Sequence, residues 1–183
     1  MIIKDFKKFK LFLEKDSTIY EFNCLMVYLN IPNWSNFINQ IKIEELFDPQ
    51  NERYGLESEP HCTILYGIHN DIADEEVIST FSNLNKEDFD LKVNGIDCFY
   101  NKDYDVLKMN VESEMLDNLN ILAKQFPHTS NFPDYKPHIT IGYLNKGTGN
   151  KYINPTFSLD LSNNVDRIVY SKTDGTKIDI PIH

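Results

Sequence analysis

Two short stretches of this chain carry the same residues in the same order. Residues 60–66 read Pro-His-Cys-Thr-Ile-Leu-Tyr, and residues 137–143 read Pro-His-Ile-Thr-Ile-Gly-Tyr. Each contains a His-x-Thr pair, His61 with Thr63 and His138 with Thr140. Because imidazole titrates close to neutral pH, one histidine can accept a proton while the other donates one. Threonine hydroxyls can hold phosphoryl oxygens on which negative charge must be stabilised.

This set of groups suits the cleavage of a phosphodiester, which needs proton transfers on two opposite sides of phosphorus. A neutral histidine would remove a proton from the attacking oxygen, and a cationic one would protonate the departing oxygen. In a ribonucleotide the 2′-hydroxyl is the natural nucleophile, because it already lies next to the phosphorus. The chemistry demands no metal ion or other cofactor. The two motifs are too similar to show which histidine is the base.

Each motif is expected to lie on a β-strand, where side chains two residues apart share a face. His61 then projects together with Thr63, while Cys62 points into an apolar layer on the other face. Tyr66 and Tyr143 each follow their histidine by five residues, an odd spacing. We therefore predict that these two tyrosines pack in the core or at its rim, unless the strands bulge.

Hydrophobic periodicity and turn residues predict the remaining elements. The order of the elements predicts an α+β protein that forms a single domain over residues 1–183. We expect two pseudo-symmetric lobes of mainly antiparallel sheet, with helices packed outside. The faces that carry the two motifs would line a central cleft between the lobes. Asn33 is the predicted cap of the first helix. The predicted strands are 23–29, 61–68, 89–100, 105–112, 138–144, 156–161, 165–171 and 177–182, and the predicted helices are 33–47, 74–84 and 113–126. Phe6 and Phe9 belong to an apolar stripe in residues 1–15 that we expect to pack on the core rather than on a membrane.

Composition limits the partners. Among 183 residues, 18 Lys and Arg face 28 Asp and Glu, a net charge of −10, which opposes binding of a long nucleic acid but tolerates a small nucleotide. Three scattered cysteines without a C-x-x-C pair favour a reducing, cytoplasmic setting. Residues 1–15 lack the apolar run of a signal peptide or membrane span, and the oligomeric state is left open.

Further candidates concern the nucleobases and a metal. Tyr28, at the end of the first strand, and Tyr170, on a late strand, are candidate substrate-binding residues that could flank a base. Glu57 and Asp134 each precede a motif histidine by four residues, so a His/carboxylate metal centre is an alternative. We interpret these two carboxylates as loop residues or as residues that orient the imidazoles.

The duplicated motif resembles the 2H phosphoesterase superfamily, whose hallmark is a pair of His-x-Thr/Ser-hydrophobic motifs on symmetry-related strands. The resemblance implies a bilobal α+β phosphodiesterase that works without metal on 2′,5′-linked oligonucleotides, cyclic phosphates or related phosphodiesters. It also implies that His61, Thr63, His138 and Thr140 are catalytic.

The sequences before the motifs, residues 54–60 (YGLESEP) and 132–137 (FPDYKP), look like those of a phage-type branch that includes anti-CBASS nucleases. By resemblance, the substrate is a cyclic di- or trinucleotide messenger such as 3′,3′-cyclic GMP-AMP, cut in the cytoplasm of the host. Two alternatives stay open. One is a phosphodiesterase for 2′,5′-linked RNA or a 2′,3′-cyclic phosphate, and the other is a sponge that binds a nucleotide without cutting it.

Overall fold

The strands in the described part of this protein form a single antiparallel sheet. The computed structural model describes residues 21–51, 54–130, 132 and 134–183, so the stripe predicted in residues 1–15 lies outside the described residues. The strands are β1 (Phe22–Leu29), β2 (His61–His69), β3 (Lys92–Tyr100), β4 (Tyr104–Glu112), β5 (His138–Asn145), β6 (Leu159–Asp160), β7 (Val165–Ser171) and β8 (Lys177–Ile180). The helices are α1 (Trp34–Ile38), α2 (Asp74–Phe81) and α3 (Glu114–Ala123).

The strand order places the two motif strands side by side in the middle. It runs β6-β3-β4-β5-β2-β1-β7-β8, and every pairing is antiparallel. We call β2, β1, β7 and β8 the His61 half, and β5, β4, β3 and β6 the His138 half. The predicted α+β class with a mainly antiparallel sheet is confirmed, and the two halves join into one continuous sheet.

The two motif strands meet at one point and then diverge. Their pairing is Cys62 with Ile139. Beyond it, β2 is flanked by the segment before β5, through a bridge between Ile68 and His128. In the same way β5 is flanked by the segment before β2, through a bridge between Leu56 and Gly142. This exchange leaves a space on either side of the central pairing.

Both motif strands carry a bulge just after the His-x-Thr pair. On β2 the partners shift from Met26↔Thr63 to Leu25↔Leu65, so Ile64 is the extra residue. On β5 the partners shift from Lys108↔Thr140 to Leu107↔Gly142, so Ile141 is the extra residue. Because a bulge reverses the alternation of side chains, it changes the face on which the following tyrosine lies.

The main core lies behind the motif face. It contains Cys62, Ile64, Ile139 and Ile141, all fully buried, as the strand alternation predicts. Helix α3 packs over this side, and its Asn120 donates a hydrogen bond of 2.7 Å to the bulged carbonyl of Ile64. The bulge is thereby tied to a helix, which fixes the position of Thr63 just before it.

Residues 33–47 differ from the single predicted helix. They form the short helix α1 and a 3-10 turn at Ile43–Glu45. Asn33 is the N-cap residue of α1, as predicted, but it has a φ of 60° and its side chain makes no capping hydrogen bond. Helices α2 and α3 end three residues earlier than predicted, at Phe81 and Ala123. No helix in the described part of the chain is long and apolar enough to cross a membrane.

Candidate active site

The four motif side chains lie together on the front face of the two central strands. In an antiparallel pair the register continues on both sides of a pairing. Since Cys62 faces Ile139, His61 lies across from Thr140, and Thr63 lies across from His138. Directly opposed residues have Cβ atoms about 5 Å apart. Each half therefore contributes one imidazole and one hydroxyl to a single cluster, which we call the His-Thr quartet.

Both imidazoles are held in the same way by backbone carbonyls. His61 Nδ1 lies 2.7 Å from the carbonyl oxygen of Glu59, and His138 Nδ1 lies 2.8 Å from that of Lys136. A carbonyl can only accept, so each Nδ1 carries the proton and donates it. This tautomer makes Nε2 the nitrogen that can exchange a proton with a substrate.

The prolines before the histidines fix where the motifs begin. The carbonyl of Pro60 accepts a hydrogen bond from Leu29 N at 2.9 Å, and that of Pro137 accepts one from Val111 N at 3.1 Å. Each bond anchors the start of a motif strand to its outer neighbour. The two halves therefore repeat in backbone geometry as well as in sequence.

In the His61 half, an aromatic ring and paired charges surround the histidine. Tyr28 lies across the strand from His61 and stacks on it at 5.1 Å and 29°. On the next strand, Arg167 lies across from Tyr28, with its guanidinium 4.6 Å from the ring centre. Arg167 and Lys177 each contact Glu59 at 3.1 Å. Their charges are therefore already balanced by carboxylates.

In the His138 half, the ring beside the histidine meets it edge-on and a buried lysine lies nearby. Phe99 and His138 are 5.0 Å apart at 89°. Lys108 lies across the strand from Thr140, is only 4% exposed, and places its ammonium 4.5 Å from the Phe99 ring centre. It hydrogen-bonds Asn110, and its carboxylate partner Asp97 is 3.9 Å away. A buried ammonium whose carboxylate partner lies almost 4 Å away is a strong local source of positive potential.

The surroundings of His138 keep its imidazole neutral. Burial lowers the pKa of His138 to about 3, and the nearby Lys108 and His61 act in the same direction. Burial also lowers the pKa of Lys108, although the carboxylate of Asp97 opposes this. At neutral pH His138 is therefore an uncharged imidazole that can accept a proton.

Both threonine hydroxyls are buried, and neither Thr63 nor Thr140 makes a side-chain hydrogen bond to the described residues. The Thr63 hydroxyl has the thiol of Cys24 as a neighbour, which burial keeps protonated by raising its pKa to about 12. A buried hydroxyl without a partner costs folding free energy. A bound phosphoryl oxygen would satisfy Thr140.

A cavity of about 380 Å³ opens beside the quartet. It lies where β2 separates from the segment before β5, and it reaches Thr63 on one side and His138 on the other. Most of its lining is apolar or aromatic. The lining includes Tyr66, Phe99, Asn101, Asn120, Phe132 and Tyr135.

The two tyrosines predicted to bind substrate lie in different places. Tyr28 lies next to His61, between that ring and Arg167, so both of its sides are occupied. Tyr170 lies across the strand from Leu25, is fully buried in the main core, and accepts a hydrogen bond from Asn23. The structure therefore does not bring Tyr170 to the cleft, because its register turns it to the back face.

Tyr66 lies beside the site, although its odd spacing from His61 predicts packing in the core or at its rim. The bulge at Ile64 turns Tyr66 to the same face as Thr63, where it lines the cavity. Tyr143 is turned to the front in the same way and packs against Tyr54 at 5.4 Å. The sequence feature that could have indicated a role for Tyr66 is the tyrosine at the same position in both motifs.

The carboxylates considered for a metal centre are separated from each other. The segment containing Glu57 pairs with β5 through a hydrogen bond from Glu57 N to the Ile141 carbonyl, whereas Asp134 is exposed at the edge of the cavity. Within the described residues, no group of three His, Cys, Asp or Glu side chains lies close enough to hold a metal ion. The three cysteines are free and buried.

Comparisons with known proteins give the family. The model of the 2'-5' RNA ligase superfamily matches residues 31–177, and the chain belongs to this superfamily of 2H phosphoesterases. Membership supports an enzyme of the phosphodiesterase type. No curated protein matches the chain significantly.

A solved structure, the crystal structure of TT0787 of Thermus thermophilus, is similar to this chain, with a TM-score of 0.50. The match covers 87% of this chain and 99% of that one at 14% sequence identity. At this identity the likeness concerns the fold.

Proposed function

We propose that this protein is a phosphodiesterase that cleaves the 3′–5′ links of cyclic di- or trinucleotide messengers. The observation that carries the proposal is the His-Thr quartet, in which His61 and His138 lie on adjacent central strands with the same tautomer. A phosphorus atom between the two Nε2 atoms would have a proton acceptor on one side and a proton donor on the other.

His138 suits the role of general base in the first step. Its pKa is lowered to about 3, mainly by burial, so the imidazole is uncharged at neutral pH. In this step Nε2 takes the proton from the 2′-hydroxyl, and the 2′-oxygen attacks the adjacent phosphorus. The ammonium of Lys108 on the same half would stabilise the charge that develops on the non-bridging oxygens.

His61 suits the role of general acid. A protonated imidazole gains from stacking on an aromatic face, and Tyr28 supplies that face. His61 would give its Nε2 proton to the 5′-oxygen as the P–O5′ bond breaks, leaving a 2′,3′-cyclic phosphate and a free 5′-hydroxyl. Water would then open the cyclic phosphate with the two roles exchanged.

The threonines would hold the phosphoryl group during both steps. Thr140 has a buried hydroxyl with no hydrogen bond to the described residues, and Thr63 lies beside the cavity. Two hydroxyls from opposite halves would bind the two non-bridging oxygens and so orient the phosphorus between the histidines.

The small size and acidity of the protein support a small substrate. A net charge of −10 disfavours a long backbone with many phosphates, whereas a cyclic dinucleotide presents two. We propose, from the resemblance of residues 54–60 and 132–137 to the phage-type branch, that the messenger is one that hosts make for antiviral CBASS signalling. Cleavage in the host cytoplasm would then end that signal.

The family match favours a second candidate, a phosphodiesterase for 2′,5′-linked oligonucleotides, because the matching model is named for a 2'-5' RNA ligase. The quartet would perform the same proton transfers on that linkage, with the 3′-hydroxyl as the nucleophile. The two candidates differ in how the sugar lies in the cleft.

The test is incubation of the purified protein with 3′,3′-cyclic GMP-AMP in EDTA, followed by chromatography of the products. Linear products that are absent with His138→Ala support the proposal. Turnover of 2′,5′-oligoadenylate alone supports the second candidate. A cyclic dinucleotide that is bound, never cut, and recovered intact on heating identifies a nucleotide sponge and contradicts both.

A further inference from the structure

The cavity beside the quartet has the size and position of a base-binding site. Its volume of about 380 Å³ lies at the lower end of the range of about 300–1,000 Å³ typical of small-molecule sites. Its lining includes Thr63 and His138, so a group in the cavity would be joined directly to a phosphate held by the quartet. A whole cyclic dinucleotide would not fit inside, but one ring with part of its sugar would.

The other half shows what shape of group this space accepts. The equivalent space beside β5 lies between Tyr143 and the segment before β2. There, the ring of Tyr54 contacts Tyr143 at 5.4 Å and Tyr104 at 5.3 Å. On the β2 side the corresponding space, next to Tyr66, is open as the cavity. The fold therefore accommodates a flat aromatic ring in one copy of this space and leaves the other copy open.

Two buried polar groups of the lining make no hydrogen bond to the described residues, the Thr63 hydroxyl beside the quartet and the Asn101 amide farther from it. Asn101 follows β3 and lines the cavity, and its Nδ2 is buried without a hydrogen bond to the described residues. Two other polar groups of the lining are engaged, since Asn120 donates to the Ile64 carbonyl and the Tyr135 hydroxyl donates to the Thr63 carbonyl. A buried amide without a partner is rare in native proteins and points to a missing acceptor.

We propose that this cavity binds one nucleobase of the substrate, with the Asn101 amide donating to an acceptor on the edge of the base. The aromatic rings of Tyr66, Phe99 and Phe132 supply faces or edges for the flat ring, and Phe132 is 43% exposed at the rim. Base–aromatic contacts and one directed hydrogen bond are how proteins bind single bases. This inference rests on the proposed function, because the quartet must hold the adjoining phosphate.

The test compares two ligands that differ only in the base. Calorimetry measures the affinity of AMP and of ribose 5-phosphate for the wild-type protein, for Asn101→Ala and for Asn101→Asp. We expect AMP to bind at least about tenfold more tightly than ribose 5-phosphate. Asn101→Ala should lower the affinity for AMP roughly tenfold and leave the affinity for ribose 5-phosphate unchanged. Asn101→Asp, which keeps the shape but removes the donor, should weaken AMP at least as much.

The matched control is Asn94→Ala, which removes an exposed amide from β3, the strand just before Asn101, where it is bonded to Glu112. It should change neither affinity. Equal binding of AMP and ribose 5-phosphate to the wild-type protein would overturn the base site, as would an equal loss of both ligands in the Asn101 variants. Because neither measurement needs cleavage, selective AMP binding without turnover of any cyclic dinucleotide would contradict the proposed function and leave the base site standing.

Discussion

The His61 half and the His138 half share a backbone plan but differ in the residues across the strand from each motif. Thr63 faces Met26, whereas Thr140 faces Lys108 at the equivalent place. His61 faces Tyr28, whereas His138 faces Asn110. The halves therefore have the same geometry and different electrostatics, which is how a near-symmetric site can hold a substrate in one direction.

The two halves also differ in how closely their positively charged side chains are paired with carboxylates. Arg167 and Lys177 in the His61 half have carboxylate partners within about 3 Å, so they contribute little to the potential at the quartet. Lys108 is buried and its carboxylate partner is 3.9 Å away. We expect variants of the His138 half to change the chemistry, and matched variants of the His61 half to change mainly the position of the ring.

The largest effect is expected from the histidines. His61→Ala and His138→Ala should each lower kcat on a cleavable phosphodiester by roughly 10²- to 10⁴-fold, because each removes one proton transfer. Thermal unfolding should show that both variants stay folded. A variant with near-normal turnover would remove that histidine from the mechanism.

The next effect is expected from Thr140, and it should separate activity from stability. Thr140→Val keeps the shape and removes a buried hydroxyl that has no partner among the described residues. We expect kcat to fall about 10²-fold, while the free energy of unfolding stays the same or rises. A large loss of stability would show that the hydroxyl is structural.

A smaller effect, specific to one half, is expected from Lys108. Lys108→Met copies the residue that the His61 half has at this place, and it should lower kcat/KM roughly tenfold. Burial lowers the pKa of His138 to about 3, and Lys108 adds to this shift. Because the base must be neutral, activity should persist as the pH falls well below 6.5, and Lys108→Met should move the acidic limb of the profile to higher pH.

The control for this variant is Lys177→Met, which removes the lysine 5.2 Å from the Tyr28 ring. Its rate and pH profile should stay close to those of the wild-type protein. If the two Lys→Met variants had the same rates and pH profiles, the proposed electrostatic difference between the halves would be refuted.

The smallest effect is expected from Tyr28, whose ring lies between His61 and Arg167. Tyr28→Phe keeps the ring and should be nearly neutral, whereas Tyr28→Leu removes the stacking and should cost a few-fold in kcat. Steady-state kinetics with both variants test this. If Tyr28→Leu raised KM alone, the ring would contact the substrate rather than position His61.

The sequence predicted the quartet and the strands because both follow from local alternation. His61 and Thr63 are two residues apart, and their repeat at His138 and Thr140 required related strands. It could not predict the bulges at Ile64 and Ile141, because a bulge depends on the partner strand and not on the residue that bulges. Without the bulge, the odd spacing places Tyr66 on the back face, although the tyrosine is repeated as Tyr143 in the second motif.

Other misses have the same origin in tertiary structure. Tyr170 was expected at the cleft, but its face is set by the register with Leu25, which no local pattern shows. No sequence pattern marks Lys108, because its place beside the site is set by its pairing with Thr140 on the neighbouring strand. The single helix predicted over residues 33–47 is interrupted after Ile38, because that segment instead leads into the bridge from Leu46 to β5.

The most direct test of the account is a double-mutant cycle on the two histidines, measured as single-turnover cleavage in EDTA. If His61 and His138 act on one phosphorus in one transition state, the double Ala variant should be slowed by no more than about tenfold beyond the slower single variant. If the two losses instead multiplied, as for independent sites, the shared phosphorus between the two halves would be contradicted.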